Sequence, residues 1–168
     1  MKKFRSFFLI CFTLSLIFSC GPSQEPPLNL NEIDWKIYRN RVIGFEFKFP
    51  ATFTYEVKDM GHNVFLKHNE TNTLLVRYCT EVEGREKGLW FGTDEEEKII
   101  INDHEWTKYV YAHGDGPLVS ITTSYVTPQN DRYLGIEFRT NVANADFQEF
   151  VMNSFKFLEP EEPRRVNY

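Results

Sequence analysis

The sequence has few cysteines, no excess of positive charge and no apolar run long enough to span a bilayer. Only three of its 168 residues are cysteines, which excludes a fold built on a disulfide framework. The longest apolar stretch, residues 7–18, is shorter than the roughly 20 residues that a transmembrane helix needs. No nucleophile–base pair, phosphate-binding glycine loop, zinc-ligand spacing or internal repeat is present, so no motif identifies a reaction.

The first 19 residues have the layout of an export signal. Lys2, Lys3 and Arg5 precede the apolar stretch, and a small residue follows it. A buried N-terminal helix is the alternative, but such a helix does not require these features in this order. We therefore expect residues 1–19 to be removed as a signal peptide.

The end of this signal, Leu16-Ile17-Phe18-Ser19-Cys20, resembles the lipobox of bacterial lipoproteins. The resemblance implies that Cys20 is lipidated, becomes the first residue of the mature chain and anchors it to a membrane. Two or three acyl chains hold a protein firmly, whereas one binds reversibly. Residues 20–34 are then the lipidated N-terminus and a flexible tether. The implied location is the bacterial cell envelope, on the outer membrane facing the periplasm or on the cell surface.

Cleavage at this position would leave an acidic chain with one unlipidated cysteine. Loss of three of the 19 basic residues leaves 16 against 24 acidic ones, a net charge of about −8. This charge argues against nucleic acid and anionic lipid surfaces as partners. Cys79 would have no cysteine with which to form an intramolecular disulfide.

Apolar residues alternate with polar ones over much of the chain, which predicts a single sheet-rich domain over residues 35–158. The alternation places Phe45, Phe47 and Phe49, preceded by Ile43, on one face of a first strand. Residues 52–57 repeat the pattern, and we expect these neighbouring strands to pair in antiparallel fashion. In this second strand the predicted buried residues are Phe53, Tyr55 and Val57. Further strands are predicted over residues 63–68, 74–82, 98–102, 105–113, 118–127 and 132–138.

One helix is predicted near the C-terminus, where apolar residues fall at helical spacing after Asn144, a suitable N-cap. These residues are Phe147, Phe150, Val151, Phe155 and Leu158. Residues 154–160 also fit a short final strand, in which case the helix ends near Ser154. The charged, proline-containing residues 159–168 predict a disordered tail.

Four segments taken in order resemble the PsbP-like family, which includes photosystem accessory subunits and DcrB-like lipoproteins. They are YRNRVIGFEFKFP (residues 38–50), IIINDHEWTKYVYAH (99–113), RYLGIEFRTN (132–141) and FQEFVMNSFKFLEP (147–160). The resemblance implies an α+β fold, in which a mainly antiparallel sheet is flanked by helices on both faces as an α/β/α sandwich. It also implies a protein that holds another macromolecule. Because no ligand motif is present, we expect no cofactor and no metal. Residues 82–97 match no element of the family.

Two clusters of reactive side chains support an alternative, a metal-dependent or hydrolytic enzyme of the cell envelope. The first surrounds one predicted hairpin, but its strand would separate the two ends of the cluster by about 20–25 Å. We therefore favour turn residues that bond their own backbone. The members of this cluster are Asp103, His104, Glu105, His113 and Asp115. The second cluster is Cys79 with His62 or His68, for which a packed core cysteine is the simpler interpretation.

Trp90 and Phe91 are large aromatic residues outside the alternating segments, and glycines flank them. Aromatic side chains displayed on a loop are common contact anchors, although a loop folded over a sheet face would bury them equally well. We expect this pair to contact a partner. The function expected from the sequence is therefore binding or assembly of another macromolecule, and not catalysis.

Overall fold

The computed structural model describes residues 29–69, 71–86, 96–113, 120–139 and 145–160. These ranges contain ten strands, two α-helices and the short 3-10 helices Leu30–Glu32 and Asp59–Gly61. The strands are β1 (Trp35–Asn40), β2 (Phe45–Pro50), β3 (Thr54–Lys58), β4 (Asn63–His68), β5 (Thr71–Cys79), β6 (Glu96–Ile101), β7 (His104–His113), β8 (Ser120–Gln129), β9 (Arg132–Arg139) and β10 (Lys156–Phe157). The helices are α1 (Glu81–Glu86) and α2 (Ala145–Ser154).

The strands form two antiparallel sheets. Seven strands make the larger sheet in the order β3-β4-β5-β9-β8-β7-β6, and three make the smaller one in the order β1-β2-β10. The mainly antiparallel architecture predicted from the sequence is confirmed. The predicted pairing of β2 with β3 is wrong, because the chain turns after Pro50 and passes from the smaller sheet to the larger.

One face of the seven-stranded sheet, here called the core face, packs against the smaller sheet and α2. Residues opposite each other in neighbouring strands share a face, so Leu66, Leu74 and Phe138 line up across β4, β5 and β9. The predicted face of β2 meets them, since Phe45, Phe47 and Phe49 are all buried. Burial of a phenylalanine ring contributes roughly 1.5–3 kcal/mol, so this aromatic layer supplies much of the stability of the fold.

The predicted helix ends at Ser154, and the chain then forms the short strand β10, as the alternative interpretation of residues 154–160 expected. Phe155 lies between these two elements and stacks on Phe45 and Phe47, with ring centroids 5.5 and 6.2 Å apart. The Asn102 side chain donates to the carbonyl oxygens of Asn153 and Phe155, which satisfies carbonyls at the end of the helix.

The opposite face of the large sheet is also buried at its centre. Leu75, Ser124 and Glu137 are almost inaccessible to solvent on this face. The Arg77 Nε atom donates to Glu137 at 2.7 Å, so the buried carboxylate has a charged partner. This pairing is what allows a charged residue at the centre of the sheet.

The helix-flanked sandwich expected from the family resemblance is matched only in part. Within the described residues, α2 shares its layer with a three-stranded sheet, and α1 is only six residues long. The six-residue α1 begins directly after Thr80, whose side chain and backbone N–H both donate to Glu83. These reciprocal contacts form a capping box that starts the helix where the sequence predicted a continuing strand.

No helix in the described ranges is both long and apolar enough to cross a membrane.

Candidate functional site

The strand β3 forms one edge of the seven-stranded sheet and is exposed along its whole length. Tyr55 and Val57, predicted to be buried, are 55% and 45% exposed. They do lie on the core face, opposite Leu66 and Val64 of β4. The prediction of burial is wrong because, in the part of the chain that the structure describes, β3 is an edge strand with a neighbouring strand on one side only.

Tyr55 closes the aromatic core at this edge. Its ring makes edge-to-face contacts with Tyr38 and Phe49, at centroid distances of 5.6 and 5.8 Å. Both of those rings are buried, and burial raises the pKa of the Tyr38 hydroxyl. The inner side of Tyr55 is therefore packed and its outer side faces solvent, so its position is fixed by the core.

The turn that follows β3 presents Met60, which is 90% exposed. Asp59 and Met60 both have positive φ angles, of 53° and 55°, which is uncommon for residues other than glycine. The Asp59 carboxylate accepts a hydrogen bond from the Asn63 side chain, and the carbonyl of His62 accepts one from the Tyr78 backbone N–H at 2.8 Å. These contacts hold the turn in a conformation that places a flexible apolar side chain in water.

Buried Asn40 joins this turn to the turn between β1 and β2. Its amide nitrogen donates to the Gly61 carbonyl at 2.9 Å, and its amide oxygen accepts from the Ile43 backbone N–H at 3.0 Å. Gly61 has φ +96°, and a Cβ atom there would lie 3.0 Å from the Asn40 amide nitrogen, so the close approach requires glycine. The turn between β1 and β2 carries exposed Val42, so this turn and the turn after β3 present apolar side chains at the same end of the molecule. We call Val42, Tyr55, Val57 and Met60 the apolar edge.

The other face of β3 is polar. Glu56 forms ion pairs with Lys58 and Lys67, with nitrogen–oxygen distances of 3.2 and 3.5 Å. The hydrogen bond from Lys58 lowers the pKa of the Glu56 carboxyl, and Lys67 acts in the same direction. The edge strand therefore has one apolar side and one side of balanced charge.

The reactive residues around the β6–β7 hairpin take up separate structural roles. The His104 ring packs against Phe157 with centroids 4.3 Å apart, and Glu105 pairs with Lys98 at 3.0 Å. Asp103 occupies the tight turn with a positive φ angle of 63°. His113 ends β7, ten residues after Asp103, and Asp115 lies outside the described residues. No group of three or more His, Cys, Asp or Glu side chains within the described ranges is arranged to hold a metal ion.

Cys79 and His62 do come together. They line a cavity of about 110 Å³, to which Asp59, Arg77 and Glu83 also contribute. The thiol is buried, and several of the surrounding polar groups already have partners, Arg77 with Glu137 among them. His68 lies elsewhere, with its ring 5.0 Å from that of Phe53. Of the two histidines, His62 therefore shares a cavity with the thiol and His68 does not.

Three residues singled out from the sequence, Cys20, Trp90 and Phe91, lie outside the described residues. The apolar edge was not predicted from the sequence. Its only signal there is Met60, an apolar residue in a turn with Asp59, Gly61 and Asn63 on either side.

Comparison with known proteins identifies the fold. Neither a family model nor a curated protein matches the sequence. The solution structure of the cyanobacterial PsbP protein CyanoP, from Synechocystis, superposes with a TM-score of 0.51 at 11% identity, over 82% of this chain and 99% of that one. The chain has a PsbP-like fold. The family resemblance seen in the sequence is thereby confirmed at the level of the fold.

A crystal structure of a Bacteroides thetaiotaomicron protein is similar as well. It matches with a TM-score of 0.52 at 11% identity, over 79% of this chain. The match covers 50% of the Bacteroides chain, so this chain spans about half the length of that protein. At this level of identity the similarity to either structure concerns the PsbP-like fold alone.

Proposed function

We propose that the chain is a membrane-anchored bacterial lipoprotein whose PsbP-like domain binds another protein of the cell envelope as an accessory or assembly module. The observation that carries the proposal is the apolar edge, because a rigid framework presents these side chains to solvent. Solvent-exposed apolar groups that are fixed in place are typical of protein contact surfaces. The lipobox-like sequence and the acidic net charge support an envelope protein that contacts neither nucleic acid nor anionic lipid.

The anchor is tested by metabolic labelling with a fatty-acid probe in the native host. The wild-type chain should incorporate the probe and Cys20→Ala should not, because the thiol is the proposed acceptor. A Cys11→Ser variant is the matched control and should be labelled like the wild type. Equal labelling of the wild type and Cys20→Ala would contradict lipidation at this residue.

The binding role is tested by chemical crosslinking in the same cells, with Trp90 and Phe91 as the first contact residues to change. The double variant Trp90→Ser, Phe91→Ser should lose the crosslinked partner and keep the melting temperature of the wild type. Val82→Ser, on the exposed side of α1, is the control and should keep both. If the double variant remains folded and captures its partner normally, this pair is not the contact; if it unfolds, the pair belongs to the core.

One observation favours a second candidate function, a hydrolytic enzyme with Cys79 as nucleophile and His62 as base. Both residues line the same cavity. The two functions differ in thiol reactivity, which is measurable in a variant with Cys11 and Cys20 replaced by serine. A catalytic thiolate reacts with iodoacetamide at pH 7 faster than a free cysteine, whereas a buried structural thiol reacts more slowly. The binding function predicts slow reaction, with no change in the His62→Ala variant.

A further inference from the structure

We propose that β3 is a strand-addition site, at which an extended segment of a partner protein continues the seven-stranded sheet. This inference rests on the proposed function, since it names the kind of partner segment that the domain binds. It adds a specific surface, centred on Tyr55 and Val57, and a specific mode of recognition.

The backbone of β3 provides the first argument. All five of its residues pair with β4, from Thr54 opposite Lys67 to Lys58 opposite Asn63. The sheet order ends at β3, so within the described ranges no strand lies on its other side. An edge strand presents N–H and C=O groups to solvent, and an extended peptide satisfies them by forming one more ladder.

The side chains provide the second argument. On the core face, Tyr55 and Val57 continue the apolar rows of the sheet into solvent, and the core rings of Tyr38 and Phe49 lie directly behind Tyr55. An added strand would place its own core-facing residues beside this open side of the two layers. Apolar side chains at those positions would extend the core. The alternate side chains of the added strand would lie on the other face, beside the charged side of β3, and polar residues suit them.

The opposite edge of the same sheet shows how an edge is protected. On β6, Glu96, Glu97 and Lys98 occupy the first half of the strand. Ile99 lies opposite buried Trp106, so Glu97 is on the core-facing side of β6, where it lies opposite Lys108 and pairs with it at 3.5 Å. The exposed residue Ile100 lies on the other side of the strand. Charged residues in this arrangement discourage pairing with another chain. The core-facing side of β3 has no such charge.

A second copy of the chain is a poor occupant of this edge. Antiparallel pairing of two β3 strands over their full length places Glu56 opposite Glu56 of the other copy, and like charges in directly opposed positions are destabilising. Centring the pair on Val57 instead brings Glu56 opposite Lys58, but β3 ends at Lys58, so each copy contributes only three paired residues. We therefore commit to a segment of a different protein, with apolar residues at alternate positions.

The strand β4 supplies a probe of this chemistry, because it is already the antiparallel partner of β3. A peptide of residues 62–69, His-Asn-Val-Phe-Leu-Lys-His-Asn, presents Val and Leu on one face in the register of Val64 and Leu66. The control peptide has the same composition in an order without alternation. Binding to the full chain, purified in detergent, is measured by fluorescence polarisation of the labelled peptides and by amide chemical shifts.

The proposal predicts saturable binding of the alternating peptide below about 1 mM and none of the control peptide. The shifted amides should lie in residues 54–60. Val57→Lys, which places a charge on the core-facing side of the edge, should weaken binding at least about tenfold. Ile100→Lys on β6 should bind like the wild type. The melting temperature shows whether each variant is folded, and the shift map of the wild type does not depend on any variant.

Three results of the peptide experiment would overturn the proposal: no saturable binding, shifts centred on another surface, or equal binding of the wild type and Val57→Lys. Sedimentation of the free chain is the remaining measurement. A dimer that Val57→Lys dissociates would assign the edge to a second copy, against the partner that we propose. None of these results bears on partner capture in cells, so failure here leaves the proposed binding function to its own test.

Discussion

The centre and the β3 edge of the large sheet carry the same alternation of apolar residues but differ in what covers them. On β9, Leu134 and Ile136 are fully buried, between strands on both sides and beneath the second layer. On β3, Tyr55 and Val57 face the same way and remain about half exposed. The difference shows that alternation determines which residues share a face, whereas the position of a strand in the sheet determines whether that face is covered.

The largest expected effect is in the aromatic layer of β2, which packs on the core face of the large sheet. Phe47→Ala should lower the free energy of unfolding by roughly 3–5 kcal/mol, because it leaves a cavity among Phe45, Phe49 and Phe155. Denaturant titration measures the change, and Val57→Ala at the edge is the comparison. A loss at position 47 no larger than that at position 57 would remove the distinction between centre and edge.

The buried ion pair gives the next test of the centre. Glu137→Ala should cost about 3 kcal/mol or more, because it leaves the Arg77 guanidinium largely buried without its carboxylate. Glu105→Ala, which breaks an exposed pair with Lys98, is the control and should cost under about 1 kcal/mol. Equal losses of unfolding free energy in the two variants would mean that the Arg77–Glu137 pair is not buried in solution.

Asn40 tests the framework that supports the apolar edge. Asn40→Ala should lower the free energy of unfolding by about 1–3 kcal/mol, because the Ile43 N–H and the Gly61 carbonyl both lose their partner. Hydrogen exchange should then accelerate in the 59–62 turn while the amides of β9 stay protected. If exchange changes uniformly over the chain, Asn40 does not act locally on this turn.

Much of the fold follows from local sequence patterns. The aromatic face of β2 is visible as alternation over residues 45–49. Residues 154–160 fitted both a longer helix and the short final strand, and the structure shows the strand. The family resemblance rests on these same positions. Such features depend on neighbours in the chain, which a single sequence displays directly.

The apolar edge could not be predicted in this way, because it depends on pairing between distant parts of the chain. The topology of the sheet determines that β5 pairs with β9 and that β3, among the described strands, pairs with β4 alone. For this reason the alternation in the sequence predicts that Tyr55 and Val57 are core residues. The same limit applies to Cys79 and His62, which are 17 positions apart and meet at one cavity only because β4 and β5 are neighbours.

We propose above all that the domain binds another protein through the edge strand β3. The most direct measurement is photocrosslinking in the native host, with a photoreactive amino acid at position 57 or, in a second strain, at position 100 on the protected edge. We expect one defined protein adduct from position 57 and none from position 100. The adduct should be lost when the photoreactive residue at position 57 is combined with Tyr55→Lys in a chain that remains folded. Adducts of equal yield from both positions, or from neither, would contradict the claim.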